Sequence, residues 1–217
     1  MIVLKCKLCG GDCESHQIKS KNWEKIYHRC LNCEFIFIDR EELLESSEEL
    51  ERYEMHNNSI DDPLYRAYFQ KFIDYAFEGT PKEVKILDYG SGPEPVLASV
   101  LEENGYSVDI YDKYFSPEKK FLGKEYDVIT STEVFEHIYD PMEALKEIAD
   151  HLKPGGKLVI MTHFHYNDWE RFGKWWYIKD STHIVFYNMK TMQWIGEKLG
   201  LAVEKDNNKN IVIFRKR

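Results

Sequence analysis

An apolar run, Val84-Lys85-Ile86-Leu87, passes through Asp88-Tyr89-Gly90-Ser91-Gly92 into a helix-like stretch from Pro95 to Asn104, closed by Gly105. Strand, glycine turn and helix in that order make the first half of a nucleoside-binding α/β unit. Glycines belong in the turn because a side chain would keep a ligand away from the backbone. A second strand, Ser107 to Tyr111, leads to Asp112, roughly twenty residues past the turn. A carboxylate there can accept hydrogen bonds from both hydroxyls of a ribose.

The rest of the chain repeats the alternation. Asp127 to Thr130 reads as a strand, and Asp140-Pro141-Met142-Glu143 as a capped helix start with Glu143 at the capping-box position. Pro154-Gly155-Gly156 reads as a turn before a strand from Lys157 to Met161. Thr191 to Leu199 is a helix stopped by Gly200, and two strands flank Asn207-Asn208, a hairpin signal. The pattern predicts an α/β fold: a mostly parallel sheet with helices on both faces and an antiparallel C-terminal hairpin. Before the glycine turn, Asp62-Pro63 opens a leading helix over 61–78, and residues 41–58 are strongly acidic.

Charge narrows the ligand. In a dinucleotide fingerprint a third glycine follows and the helix N-terminus faces a pyrophosphate. Here that position is Pro95, preceded by Glu94, whose carboxylate would repel a pyrophosphate. A sulfonium and an ammonium group would meet no such penalty, which favours S-adenosylmethionine over a nicotinamide cofactor.

Leu87-Asp88-Tyr89-Gly90-Ser91-Gly92 resembles the first motif of class I S-adenosylmethionine-dependent methyltransferases of the type 11/23 kind. Tyr126 to Ile138, containing Thr132-Glu133-Val134-Phe135-Glu136-His137, resembles their fourth-strand motif, and Leu152 to Leu158 the turn before their fifth strand. The resemblance covers residues 84 to 165. It implies a Rossmann-like sheet of the seven-stranded type and a methyl-transferring enzyme. Asp88, Gly90, Ser91 and Gly92 would then surround the methionine moiety, Asp112 would hold the ribose, and Thr132 and Glu133 would flank the sulfonium. Leading segments in that family close over the cofactor, which makes Tyr53, His56 and Asn58 candidates for its carboxylate and ribose. One departure stands out. No third strand is evident between Ser116 and Glu125, so no adenine contact is assigned; Phe121 there reads as a core residue and Phe115 as open to the base.

All five cysteines fall within the first 33 residues. Cys6-Lys7-Leu8-Cys9 and Cys30-Leu31-Asn32-Cys33 are two knuckles whose four thiolates suit a tetrahedral, structural zinc ion, although spacing alone does not separate zinc from iron. Cys13 is left as a free thiol. The resulting division is a zinc ribbon over 1–40, an acidic linker and leading helix over 41–80, and a Rossmann-like domain over 81–217. An aromatic insertion at about 163–188 leaves the sheet at its ligand-binding edge and has the place of a lid.

Histidines are the candidate general bases: His137, His163 and His183, in that order. The net charge of −9 disfavours a nucleic-acid partner and points to a small-molecule acceptor. No run approaches the ~20 apolar residues of a membrane span, and Met1 to Leu4 is too short for a signal peptide, so a cytoplasmic protein is expected. Oligomeric state is left open. Other readings share parts of the pattern: an RNA-modifying methyltransferase using the ribbon for recognition, a non-catalytic zinc- and nucleoside-binding adaptor, and a nicotinamide oxidoreductase.

Overall fold

The computed structural model describes residues 4–21, 23–55 and 59–217. The chain opens with β1 (Cys13–Lys19) and β2 (Glu24–Cys30), paired antiparallel with Cys13 opposite Cys30 and Lys19 opposite Glu24. β3 (Ile36–Ile38) lies on the other side of β2, and all three of its residues are buried. A two-residue strand from far along the chain, Val185–Phe186, completes this sheet beside β3. A strand with a neighbour on each side and cover on both faces reads as a continuous apolar run, as Ile36-Phe37-Ile38 does.

The acidic stretch that follows contains helix α1 (Ser46–Glu54), closed at its start by a capping box between Glu45 and Glu48. α2 (Pro63–Ala76) begins as the sequence predicts. The Asp62 side chain accepts from the amides of Leu64 and Tyr65 at 2.8 and 3.4 Å, and Pro63 takes the first helical position.

The alternating part comprises β4 (Lys85–Tyr89), α3 (Val96–Glu103), β5 (Ser107–Tyr111), β6 (Tyr126–Thr132), α4 (Pro141–Asp150), β7 (Leu152–Met161), α5 (Trp169–Lys174), β8 (Val185–Phe186), α6 (Met189–Leu199), β9 (Leu201–Asp206) and β10 (Ile211–Lys216). Its sheet has the order β5-β4-β6-β7-β10-β9. The first four strands are parallel, and β10 joins antiparallel to both β7 and β9. Side chains alternate across it with period two. Ile86, Val128, Val159, Ile211 and Ile213 face a core with α2 and α3, where Phe69, Phe72, Val100 and Leu101 pack. Their neighbours Leu87, Ile129, Leu158, Val212 and Phe214 face the opposite core with Leu145 and Ile148 of α4 and Ile195 of α6.

That second core also takes in the ribbon. Tyr27, Phe35 and Ile36 share it with Phe172, Phe186 and Tyr187 of the insertion, and the Tyr27 and Phe172 rings meet edge-on at 5.1 Å. The ribbon and the insertion are therefore packed as one body, joined through β3 and β8.

Three local expectations are corrected. Pro154-Gly155-Gly156 is a bulge inside β7, where Tyr126 pairs with Leu152 and Val128 with Lys157, rather than a turn before a shorter strand. Asp140 precedes α4 but makes no cap bond; its carboxylate is drawn instead to Lys7, at 2.9 Å, and to Arg40, at 3.3 Å. Among the described residues the sheet has six strands, β5 being an edge. The stretch from Asp112 to Glu125 forms one isolated bridge, Asp112 to Ser116, and turns, consistent with the missing third strand in the sequence. Phe121 is buried against Tyr89 and Tyr111, which fixes it as a core residue.

Candidate active site

A cavity of about 540 Å³ opens at the carboxyl ends of β4, β5 and β6. This is where open α/β sheets hold ligands. Its floor is the glycine turn. Gly90 has φ 87° and Gly92 has φ 72°, a region that favours glycine. The two differ in what surrounds them. A Cβ on Gly90 would lie 2.2 Å from a Val134 methyl, so the loop after β6 itself requires a glycine here. Nothing lies within 4 Å of a Cβ on Gly92, which leaves that stretch of backbone open to a ligand. The amides of Gly90 and Ser91 donate to the Tyr111 carbonyl at 2.7 and 3.1 Å, pinning the turn to the end of β5.

Asp88 is buried at the end of β4 and accepts a hydrogen bond from Thr130 Oγ1 at 2.9 Å. Burial pushes its carboxyl up to about 7, against the pull of that hydrogen bond. Asp112 lines the cavity, and its carboxylate already organises two loops. One oxygen accepts from Gly92 N at 2.9 Å, the other from Tyr114 N and Phe115 N at 2.9 and 3.1 Å. Ser91, Glu94, Phe115 and Thr132 also face the cavity. Glu94 accepts from the Ile60 amide at 2.5 Å, tying the approach to α2 down onto the turn.

α1 forms one wall. The Glu49 carboxylate accepts from Tyr53 Oη at 2.7 Å and from Tyr114 Oη at 2.5 Å, and the Tyr53 ring meets His137 edge-on at 5.2 Å. Burial, together with Glu49, drives the Tyr53 phenol upward. His56 and Asn58, the other two expected contacts of this segment, lie outside the described residues.

The end of β6 carries the polar cluster. Glu133 has φ 54°, an uncommon conformation for a residue with a side chain; it lines the cavity, and its carboxyl accepts from Tyr68 Oη at 3.3 Å. Glu136 is fully buried. Tyr177 Oη lies 2.9 Å from Glu133 and 2.5 Å from Glu136. One phenol hydrogen serves two carboxyls here. Burial first, and then the charge of Glu136, pushes Glu133 up to about 8; burial raises Glu136 as well. The His137 and His183 rings are 4.8 Å apart, and His183 lies 4.1 Å from the Tyr177 ring. The structure thus brings His137 and His183 together. His163 packs on Trp176 and on the Tyr177 ring that His183 also meets, and burial lowers its basicity; of the three histidines, His137 lines the cavity. His165 is buried against the ribbon, with Nε2 3.0 Å from the Glu34 carbonyl.

A model of the family described as "Methyltransferase domain" matches residues 63–206, about two thirds of the chain. The chain belongs to this family. Within it, the chain is similar to the ubiquinone biosynthesis O-methyltransferase of Ruegeria pomeroyi, 34% identical over 80 residues, covering 37% of this chain and 32% of that protein. It is also similar to that of Citrobacter koseri, 32% identical over 76 residues, covering 35% and 31%. The match spans about a third of the length of these curated relatives. Among solved structures, the 1,6-didemethyltoxoflavin-N1-methyltransferase of Burkholderia thailandensis, with its substrate and S-adenosylhomocysteine bound, superposes with a TM-score of 0.58 at 13% identity, covering 94% of this chain and 99% of that one. An O-methyltransferase family protein from the same organism gives 0.57 at 16%, covering 77% and 62%. At these identities the likeness is one of fold.

The methyltransferase-domain match begins after the ribbon. There the Cys6 and Cys33 sulfurs are 3.7 Å apart and those of Cys9 and Cys30 3.3 Å, all four lying within 4.8 Å of one another. Four thiolates about 2.3 Å from a tetrahedral zinc ion stand at nearly these separations. Amides of Gly11, Asn32 and Cys33 point at the sulfurs from 3.3–3.4 Å, and a Cβ on Gly11 would intrude to 3.3 Å from two of them. The donor set fits the ion. Cys13 stands apart, its thiol pushed up to about 12 by burial.

Four residues in or beside the cavity escaped the sequence: Glu49 and Tyr114, which line it, and Glu136 and Tyr177 behind Glu133. Glu49 is one acid among many in its stretch. Glu136 stands in the quoted fourth-strand motif, but nothing in a sequence marks a glutamate as buried. Tyr114 and Tyr177 depend on chain crossings that no local pattern records.

Proposed function

We propose that this chain transfers the methyl group of S-adenosylmethionine to a small-molecule acceptor. The observation that carries the reading is the cavity itself: an open glycine turn at Gly92, buried Asp88, Asp112 beside the turn, and a carboxyl- and imidazole-bearing wall at the end of β6. When bound, S-adenosylmethionine supplies an electrophilic methyl carbon on a sulfonium. The residues fit it by charge: Glu94 offers a carboxylate, and a cationic group beside Asp88 and Glu133 favours their ionised forms against the burial that raises them, at roughly 1 kcal/mol per exposed pair and more when buried. Asp88, Gly90, Ser91 and Gly92 receive the methionine end, Asp112 the ribose, and Thr132 and Glu133 the sulfonium side. Tyr53 closes the cavity from α1.

The chain's contribution to the reaction is positional. Holding an acceptor in line at van der Waals distance removes much of the entropic barrier, and walls built by α1 and by Ser181, Thr182 and Ile184 of the insertion keep water out. The acceptor's proton is managed by the cluster of His137, His183 and Glu136, with His163 a more distant candidate. A small molecule is favoured over RNA because basic side chains of the ribbon are occupied: Lys5, Lys7, Lys19 and Arg29 each pair with a carboxylate. Cys6, Cys9, Cys30 and Cys33 hold a structural zinc ion. Among the described residues no helix is long and apolar enough to cross a membrane.

Titration of S-adenosylhomocysteine into wild-type protein and Asp112→Ala tests the assignment. Wild type binds with one site per chain; Asp112→Ala binds more weakly. Equal affinities refute the placement of the ribose.

A further inference from the structure

At the end of β6 two carboxyls meet over one phenol. Tyr177 Oη is 2.9 Å from Glu133 Oε2 and 2.5 Å from Glu136 Oε1. A phenol has one hydrogen to give, so the second contact is a hydrogen bond only if a carboxyl brings a proton of its own. Glu136 has a further need of that proton. Its side chain is wholly buried, and Oε2, the oxygen away from Tyr177, has no hydrogen-bond partner among the described residues. Ionised, it would be a buried charge with one side undonated, which is costly. No lysine or arginine pairs with either carboxyl among the described residues. The groups around them are phenols and imidazoles. Tyr68 of α2 donates to Glu133 at 3.3 Å, His137 Nε2 lies 4.0 Å from Glu136, and His183 packs on the Tyr177 ring. The charge of Glu133 also reaches Tyr65 and His163, and that of Glu136 reaches Tyr53 and Tyr187. Two like charges so placed do not both persist, and burial raises each carboxyl.

We infer that Glu133, Glu136 and Tyr177 form a proton-sharing pair of carboxyls that the sulfonium of the methyl donor empties and the proton of the acceptor refills, with Glu133 as the receiving residue. Glu133 has that place because it lines the cavity, while Glu136 stands behind it. The inference rests on the methyltransferase reading, which sets the sulfonium beside Glu133.

The charges balance at each stage. At rest the pair holds one proton. A cation beside Glu133 favours its carboxylate, so the pair gives that proton to solvent when the donor is loaded. Glu133 then takes the acceptor's proton as the acceptor's oxygen or nitrogen bonds to the methyl carbon and the carbon–sulfur electron pair returns to sulfur. Sulfonium and extra carboxylate disappear together, and the pair again holds one proton. The wall is therefore basic only while a methyl group is present to be transferred. Glu136 and Tyr177 are positioning residues that set this timing.

The test uses the full chain with its zinc. In protein without cofactor, infrared difference spectra follow the carbonyl stretch of protonated carboxyls with pH; Asp88 contributes alike to every variant. The midpoint of the pair falls by roughly one pH unit or more in Glu136→Gln, which lacks the like charge, and rises in Tyr177→Phe, which lacks the donor. Calorimetry in buffers of different ionisation enthalpy then counts protons. At pH 7 S-adenosylmethionine releases more protons per site than S-adenosylhomocysteine, which differs from it only in the methyl group and its charge; the difference vanishes in Glu136→Gln. Tyr177→Phe keeps the buried ring and decides the matter should Glu136→Gln not fold. Unmoved midpoints in variants folded by circular dichroism, or equal proton release by the two ligands, overturn the inference. If neither ligand binds wild type, the methyltransferase reading falls and the inference with it, and the infrared midpoints show separately whether the carboxyls share a proton.

Discussion

Thr130→Val probes the buried carboxyl beneath the glycine turn. Thr130 and Asp88 are both buried, and the Thr130 hydroxyl lies 2.9 Å from Asp88 Oδ1 and 3.4 Å from the Leu87 carbonyl. Valine keeps the shape and removes the donor. In the folded chain Asp88 holds its proton to about pH 7, whereas unfolded it loses it near the ordinary 3.8. Its folded value is raised, so the stability carried by that proton is complete below 3.8 and is lost as pH climbs toward 7. The Thr130 bond opposes this by favouring the ionised form, so its removal extends the loss above pH 7. At pH 5 the wild-type carboxyl is neutral and the lost bond is an ordinary one, about 0.5–1.5 kcal/mol; at pH 8.5 it is charged and the loss is about 1.5–3 kcal/mol. For a chain of this length 1 kcal/mol is about 2–4 °C in melting temperature. The expected drop is thus about 1–6 °C at pH 5 and about 3–12 °C at pH 8.5. Calorimetric melts of both proteins at both pH values check it. An equal drop, or a larger one at pH 5, refutes the account of Asp88.

Asp112→Ala weakens S-adenosylhomocysteine binding by about 1.5–3 kcal/mol, measured by calorimetry; because the same carboxylate holds Gly92, Tyr114 and Phe115, faster hydrogen exchange at 113–116 accompanies the loss. Gly90→Ala lowers stability by at least about 1–3 kcal/mol in denaturant unfolding, since the added methyl meets Val134 at a positive φ. Chelating zinc raises hydrogen exchange beyond the ribbon, at 184–191. Thr191 Oγ1 donates to the Cys33 carbonyl at 2.8 Å and the Ile38 amide to Ile184 at 3.2 Å; unchanged exchange there would show that the ribbon and the insertion are independent.

What the sequence revealed follows from how local each signal is. β4, the glycine turn and the Asp112 position were legible because a strand, a turn and an acid need only neighbours in sequence to declare themselves. The two knuckles were legible for the same reason. The sequence expects a glycine at 90 for ligand approach; the fold adds a constraint that no local pattern records, Val134, 44 positions away, packed where a Cβ would stand. His137 and His183 meet only because the insertion returns across the end of β6, and β3 finds its outer neighbour in β8. Such long-range pairings leave no periodicity behind. Residues 46–54 looked like an acidic linker because α1 has no fully buried residue; its part in the cavity wall appears only with the fold.

Calorimetric titration of S-adenosylhomocysteine and of NAD into the full chain tests the central claim most directly. The carboxylates around the cavity predict one S-adenosylhomocysteine site per chain with a dissociation constant at micromolar levels, roughly 8 kcal/mol of binding, and no measurable heat from NAD. Binding of NAD without S-adenosylhomocysteine would contradict the assignment of the cavity.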